Sequence, residues 1–250
     1  MGRLVLVLIL SVVAPRAWAQ FSVQGLDHVP VVVRDLKQAT ADFTALGFVM
    51  KPGQPHANGL QNAHAKFPDG TEIELISPTV AVDTLSTRYV EWLKDGDGPA
   101  SFGLYVPDEN AAFRPGAWPG VFFAHRQKSP TDMPEHFAHP NGAISLSGVW
   151  LAGSEAEPWM VRSFIGRLVD HRVACAPFGS SSEILALDEG EIVFLPQSVQ
   201  RVPGRPIVAL SVTVKSLDVA LRYAWRRVYG CGRQSRWVET HGMWLELIQQ

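Results

Sequence analysis

The spacing of apolar and polar residues changes several times between positions 25 and 78, and each change marks a new secondary-structure element. The first stretch is apolar at nearly every position, which is typical of a strand covered on both faces. Apolar side chains then recur at helical spacing after Asp35, a helix-capping residue type, and Gly47 follows where a left-handed helix end belongs. The sequence therefore predicts one strand, one helix and three more strands, over residues 26–33, 36–46, 48–51, 60–67 and 71–76.

The same order of signals returns near the C-terminus. Residues 212–220 repeat the strand end, the cap residue and the Leu/Ala spacing of residues 31–39, and residues 242–248 repeat the Gly-x-x-x-Glu-Leu-Ile pattern of 70–76. Coincidence between amphipathic strand-helix junctions is the alternative. Weaker echoes lie between these units, with strands over 101–106 and 144–151, a helix over 158–169 and a hairpin over 182–195. We predict an α+β fold of repeated βαβββ modules, two in residues 20–142 and two in 143–250.

The first 19 residues carry a different pattern, that of a secretory signal. Arg3 gives a positive start, residues 4–13 are apolar, and Ala17 and Ala19 place small residues at the two positions that a signal peptidase reads. The apolar run is too short to span a bilayer as a helix. We expect cleavage of residues 1–19 and export to the periplasm. The alternative is a retained N-terminal anchor or a buried helix.

Composition is ordinary for a globular chain and narrows the range of partners. Hydrophobic residues make up 46% and charged residues 18%, and the formal net charge of −2 gives no reason to expect nucleic acid or an anionic membrane as a partner. No segment after the signal has the length and apolarity of a membrane span. In an oxidising compartment, Cys175 and Cys231 form either one disulfide or two separately buried thiols.

A set of short motifs in the first module is also informative. They are Gly25-Leu26-Asp27-His28-Val29, Val33-Arg34-Asp35-Leu36, Leu46-Gly47-Phe48, His56, Asn62-Ala63, Asp69-Gly70 and Glu74-Leu75-Ile76. Together they resemble the opening of glyoxalase-like proteins of the vicinal oxygen chelate superfamily. The resemblance covers residues 25–78, continues loosely through 139–142 and then fades. It implies βαβββ modules that pair into curled mixed sheets around a cleft with a metal or ligand site.

The resemblance also implies metal ligands on the first and last strands of a module. In that superfamily a His on the first strand and a Glu on the last hold a divalent ion, and the matching residues here are His28 and Glu74. Aligning the last unit on the first adds Glu246 opposite Glu74 but puts Ala209 opposite His28. Such ligands suit zinc, manganese, iron or nickel. From the residues alone, the alternative is a core histidine bonded to a backbone carbonyl and a solvent-facing glutamate.

Three further polar residues surround the predicted cleft. His56 and Asn62 flank its loop, and His64 alternates with Asn62 along the third strand. We consider His56, with Glu74, as a catalytic acid or base, and Asn62 and His64 as substrate contacts. A solvated loop histidine is the alternative for His56.

These residues predict an exported, divalent-metal-dependent lyase, isomerase or dioxygenase that acts on a small oxygenated molecule. In the implied mechanism, an ion on His28 and Glu74 chelates vicinal substrate oxygens while a carboxylate moves the proton. The main alternative is a metal-free small-molecule binding protein on the same scaffold, which the missing histidine at Ala209 favours. A third is an exported structural or partner-binding domain, and we also consider a homodimer.

Overall fold

The computed structural model describes residues 23–107, 114–115, 120–126, 128–154, 169–173, 177–224, 228–231 and 234–249. Three predictions lie outside this part of the chain: the signal over residues 1–19, the helix over 158–169 apart from its last residue, and the disulfide, which requires Cys175. Among the described residues, no helix combines the length and the apolar composition needed to cross a bilayer.

The first module has the predicted order of elements, except that the first strand is interrupted at Asp27 and forms two short strands. The Asp35 side chain accepts a hydrogen bond from the Gln38 N–H and so caps the helix, while Gly47, at φ +83°, supplies the left-handed turn that ends it. Its elements are β1 (Gly25–Leu26), β2 (His28–Val32), α1 (Leu36–Ala45), β3 (Lys51–Pro52), β4 (Leu60–Lys66) and β5 (Glu72–Pro78).

The strand after α1 is shorter and begins later than the sequence pattern predicts. Residues 48–50 form no ladder, because the Val49 N–H donates instead to Nδ1 of His139 at 2.9 Å. The Asn141 N–H likewise donates to the Gly47 carbonyl at 3.2 Å. A turn from a distant part of the chain therefore takes the backbone hydrogen bonds that a longer strand would use.

The second module is smaller and pairs with the first. Its elements are α2 (Thr84–Trp92), β6 (Gly98–Pro99), β7 (Phe102–Tyr105), β8 (Arg114–Pro115) and β9 (Val121–Ala124). Strand β1 pairs antiparallel with β7, and β2 pairs antiparallel with β6. The strand orders are β3-β4-β5-β2-β6 in one sheet and β1-β7-β9-β8 in the other, so the chain passes from one sheet to the other between β1 and β2 and again between β6 and β7.

The C-terminal half builds one eight-stranded sheet from two more modules. The elements are β10 (Ala143–Gly153), β11 (Val169–Val173), β12 (Ser181–Ala186), β13 (Glu191–Pro196), β14 (Ile207–Val214), α3 (Leu217–Ala220), β15 (Val228–Cys231), β16 (Ser235–Thr240) and β17 (Met243–Gln249). The strand order is β11-β12-β13-β10-β14-β17-β16-β15, so each side repeats the β3-β4-β5-β2 order of the first module, and β10 joins β14 antiparallel at the centre. The predicted α+β fold of paired βαβββ modules is confirmed.

Two hairpin turns of the C-terminal half hold the N-terminal half. In the β12–β13 turn, the Glu189 N–H donates to the Gln24 carbonyl at 2.9 Å, and the Glu189 carboxylate pairs with Arg126. In the β16–β17 turn, His241 places Nδ1 2.9 Å from Asp97 Oδ2 and Nε2 3.3 Å from Asp42 Oδ2. The halves are therefore tied by polar side-chain contacts at two separate hairpin tips.

Candidate functional site

One face of the first module's sheet is apolar and the other is polar. Side chains alternate along each strand, so Val31, Ile73 and Leu75 lie on the face that packs against Phe43 of α1. The opposite face, which we call the cup, carries polar side chains from neighbouring strands. They are His28, Asn62, His64, Lys66, Glu72 and Glu74.

His28 is held in one orientation by the residue before it. Its Nδ1 lies 2.5 Å from Asp27 Oδ1, and its Nε2 faces Glu74 Oε2 at 4.0 Å. The ring of Phe122, from β9 of the second module, lies against the imidazole at a centroid distance of 4.8 Å. Burial alone would lower the pKa of His28, but the Asp27 hydrogen bond and the Glu74 charge outweigh it and raise the pKa. The imidazole is therefore poised to carry a proton in the cup.

Glu74 connects His28 to the predicted loop residues. Asn62 donates from Nδ2 to Glu74 Oε1 at 2.7 Å and lies 3.2 Å from Nε2 of His56. The sequence allows this position for Asn62 because residue 53 is glycine; a Cβ there would lie 1.6 Å from Asn62 Oδ1. Four of the predicted residues thus form one continuous chain of contacts.

His64, which was also predicted to face the cleft, lies in the cup as part of a neighbouring network of charged side chains. Its Nδ1 lies 3.5 Å from Glu72 Oε1, and Lys66 Nζ lies 3.1 Å from Glu72 Oε2. Lys66 and Lys51 both contact Asp132, at 3.2 and 2.5 Å. Burial alone would raise the pKa of Glu72, but the neighbouring cations lower it from 4.5 to about 2. This network fixes the wall of the cup beside Glu74.

Glu246, the remaining predicted ligand, lies in a different sheet. It is buried on β17, where its Oε2 accepts a hydrogen bond from Ser211 Oγ at 2.6 Å. The reason is topological, because the last module pairs with the third through β10 and β14 rather than with the first. The structure therefore does not bring Glu246 together with His28 and Glu74.

His28 and Glu74 offer two donors to a metal ion. Ligands about 2.0–2.2 Å from one ion sit roughly 3–4 Å apart, so the 4.0 Å between His28 Nε2 and Glu74 Oε2 is at the wide end of that range. The carboxylate on Nδ1 of His28 is also the partner that metal-binding histidines commonly have. Within the described residues, however, no group of three His, Cys, Asp or Glu side chains has the arrangement of a metal site. The described donors therefore do not make a complete ion site.

Paired βαβββ modules with polar residues facing a shared cleft define the vicinal oxygen chelate class of folds. The family model described as Glyoxalase-like domain matches residues 26–111, which contain the first module from Leu26 onwards. This segment is thus similar to a glyoxalase-like domain, and the resemblance predicted from the sequence motifs is confirmed. No sequence among the curated proteins matches the chain.

Three solved structures show that the likeness extends over both halves. A hypothetical protein from Staphylococcus aureus gives a TM-score of 0.59 at 10% identity, covering 90% of this chain and 99% of that chain. A mutant of 4-hydroxymandelate synthase from Streptomyces coelicolor gives 0.62 at 12% identity, covering 90% and 92%. A xylose isomerase-like TIM barrel/4-hydroxyphenylpyruvate dioxygenase fusion protein gives 0.64 at 12% identity, covering 92% of this chain and 49% of that chain. At these identities the likeness shows the fold alone.

Asp27 and the Glu72 network are site features that the sequence motifs did not single out as functional. Asp27 had a usable signal, because a buried carboxylate next to a strand histidine requires a partner. The contact between Lys66 and Asp132 joins residues far apart in the chain, and no local pattern indicates it.

Proposed function

We propose that the cup binds a small oxygenated molecule and that His28 and Glu74 move a proton on it, as in a lyase or isomerase. The observation that carries the proposal is the pair itself, with a histidine of raised pKa facing a carboxylate at 4.0 Å in a largely buried site. A proton donor beside a proton acceptor is the basic requirement of general acid–base catalysis.

The neighbouring residues give each partner a role. Asp27 holds the His28 proton-bearing ring with Nε2 directed into the cup, where it donates to a carbonyl or hydroxyl oxygen of the substrate. Glu74, oriented by Asn62, accepts a proton from the carbon next to that oxygen. His56, which lies next to Asn62 at the loop, is placed to contact the far end of a bound molecule.

The metal dependence predicted from the sequence remains part of the proposal to be tested. His28 and Glu74 are the residues that would hold a zinc, manganese, iron or nickel ion, and such an ion would polarise the substrate oxygens. Because no third His, Cys, Asp or Glu among the described residues joins this pair in a metal-site arrangement, we assign no catalytic step to a metal. Dioxygenase chemistry, which depends on one, is the less supported alternative.

The test uses hydroxyacetone as the probe and follows exchange of its C–H protons with deuterated solvent by NMR. We expect the wild-type protein to catalyse exchange and His28→Ala and Glu74→Ala each to lose about 100-fold or more. His136→Ala, which removes a half-buried histidine that is not one of the cup residues, is the matched control and retains the wild-type rate.

Three outcomes separate the alternatives. Binding of hydroxyacetone without exchange would identify a metal-free binding protein. Stoichiometric metal by elemental analysis, with thermal stabilisation by Zn, Mn, Fe or Ni that His28→Ala abolishes, would restore the metal-dependent enzyme. Equal exchange by wild type and both cup variants would refute the proposal. Export is tested separately, by fractionation and by an N-terminus near Gln20 in the mature protein.

A further inference from the structure

The C-terminal half has a second cluster of chemically useful side chains, on the central strands of its eight-stranded sheet. Trp150 and Trp237 meet edge to face at a centroid distance of 5.0 Å. Phe178 packs on both, 5.7 Å from Trp150 and 5.6 Å from Trp237. We call these three rings the aromatic cluster. Both tryptophans are buried, whereas Phe178, on a turn, is partly exposed.

A buried carboxyl group lies directly beside the aromatic cluster. Glu246 is the cross-strand partner of Trp237, and its other neighbour, Ser211, accepts a hydrogen bond from Trp150 Nε1 at 2.7 Å. Burial raises the pKa of Glu246, and the nearby Glu191 adds to that, against hydrogen bonds from Ser211 and Ser235. Glu246 and Glu191 would both repel an anionic ligand, and no cation is among these contacts to offset them.

One polar atom in the cluster lacks its hydrogen bond. Trp237 is only 1% exposed, and its Nε1 has no hydrogen-bond acceptor among the described residues. Ser180 Oγ, two residues after Phe178, is also buried without a partner there. A buried donor left unpaired costs about 1–3 kcal/mol, so native proteins rarely leave one without a role. An acceptor brought by a ligand would supply the missing partner.

We infer that the aromatic cluster is a second ligand site, separate from the cup, for a planar aromatic molecule with a neutral oxygen acceptor. The ligand ring takes the position of Phe178 against the two tryptophans, and its oxygen accepts from Trp237 Nε1. Phe178 is the ring that gives way, because it is partly exposed and the next residue, Gly179, has open space around it. Aromatic ligands fit because edge and stacked ring contacts replace the ones lost.

The experiment measures binding of acetophenone by calorimetry and by tryptophan fluorescence. Ethylbenzene has the ring without the oxygen, and cyclohexyl methyl ketone has the oxygen without the aromatic ring. We expect acetophenone to bind more tightly than either. Trp237→Phe keeps a ring but removes Nε1–H and should weaken acetophenone binding about ten-fold, the effect of one lost hydrogen bond. Phe178→Ala, on a partly exposed turn, should tighten it several-fold.

The site is independent of the cup, so a His28→Ala/Glu74→Ala double variant should bind acetophenone with wild-type affinity. Reduced binding in that variant would place the ligand in the cup and overturn the inference. Equal affinity for acetophenone and ethylbenzene, or no binding by either wild type or Phe178→Ala, would show an ordinary packed core. Thermal unfolding shows whether each variant is folded. If Trp237→Phe does not fold, the change in acetophenone affinity of Phe178→Ala tests the inference instead.

Discussion

Replacing Glu72 with glutamine keeps the shape of the side chain and removes its charge from a place that cations surround. The Glu72 carboxylate lies 3.1 Å from Lys66 Nζ and 3.5 Å from His64 Nδ1, and only 19% of the side chain is exposed. Burial would raise its pKa, but His64, His28 and Lys66 together lower it from 4.5 to about 2. The Glu72 charge therefore stabilises the folded protein, and this contribution depends on pH.

The size of the effect follows from the pKa shift. One pKa unit corresponds to about 1.36 kcal/mol, so the Glu72 charge contributes roughly 3 kcal/mol at pH 7. Because the pKa is lower in the folded protein, this stability is fully present above the unfolded-state pKa and is lost as pH falls through the folded-state value. By pH 3 less than half of it should remain.

Urea unfolding of the wild type and Glu72→Gln between pH 8 and pH 3 measures this difference directly. The matched control is Glu91→Gln, whose ion pair with Lys94 has side chains 60% and 67% exposed and should change stability by less than about 0.5 kcal/mol. A difference for Glu72→Gln that does not vary with pH, or that is no larger than the control's, would show that the network does not stabilise the fold electrostatically.

Three further substitutions test the cup and the contact between halves. Asp27→Asn should lower the pKa of His28, which NMR titration of the imidazole measures. The loss of hydroxyacetone exchange at high pH should then begin at a lower pH. An unchanged His28 pKa would contradict the role of Asp27. Gly53→Ala should displace Asn62 and reduce exchange about ten-fold or more, and wild-type exchange would contradict this. His241→Asn tolerates the left-handed turn but loses both carboxylate contacts, and should cost about 1–3 kcal/mol in urea unfolding.

Gly96→Ala is the comparison for Gly53→Ala. Both replace a glycine, but a Cβ at position 96 meets nothing within 4 Å and lies away from the cup, so its cost is confined to the left-handed backbone at φ +95°. It should lower stability and leave the exchange rate unchanged.

For His241→Asn, a free energy of unfolding equal to the wild type's would show that the hairpin contact does not stabilise the fold.

The alternation of side chains along β4 and β5 was enough to predict that Asn62 and His64 share one face of β4 and that Glu74 points to one face of β5. Once the strands were assigned, Glu74, Asn62 and His64 had to lie on one face, and His28 followed from the parallel pairing of β2 with β5. Asp35 and Gly47 set the limits of α1 locally, so the helix was also readable. These features depend on neighbours in the chain or on one strand register.

Features set by long-range pairing were not accessible in the same way. The sequence repeat correctly gave Glu246 the position in the last module that Glu74 has in the first. The repeat could not show which modules pair, because the contacts between β10 and β14 decide that. The late start of β3 likewise depends on His139, about ninety residues away along the chain. Local periodicity carries no information about such partners, because they are selected only when the sheets assemble.

The contacts at Glu189 and His241 limit how this protein can be divided or recombined. Each tip belongs to a hairpin of the C-terminal half, while its partners Gln24, Asp42 and Asp97 belong to the N-terminal half. In a chimera that exchanges one half for that of a relative, the hairpin turns of one half would no longer match the residues that they contact in the other. Recombination should therefore succeed only when each hairpin tip is transferred together with the segments that receive it.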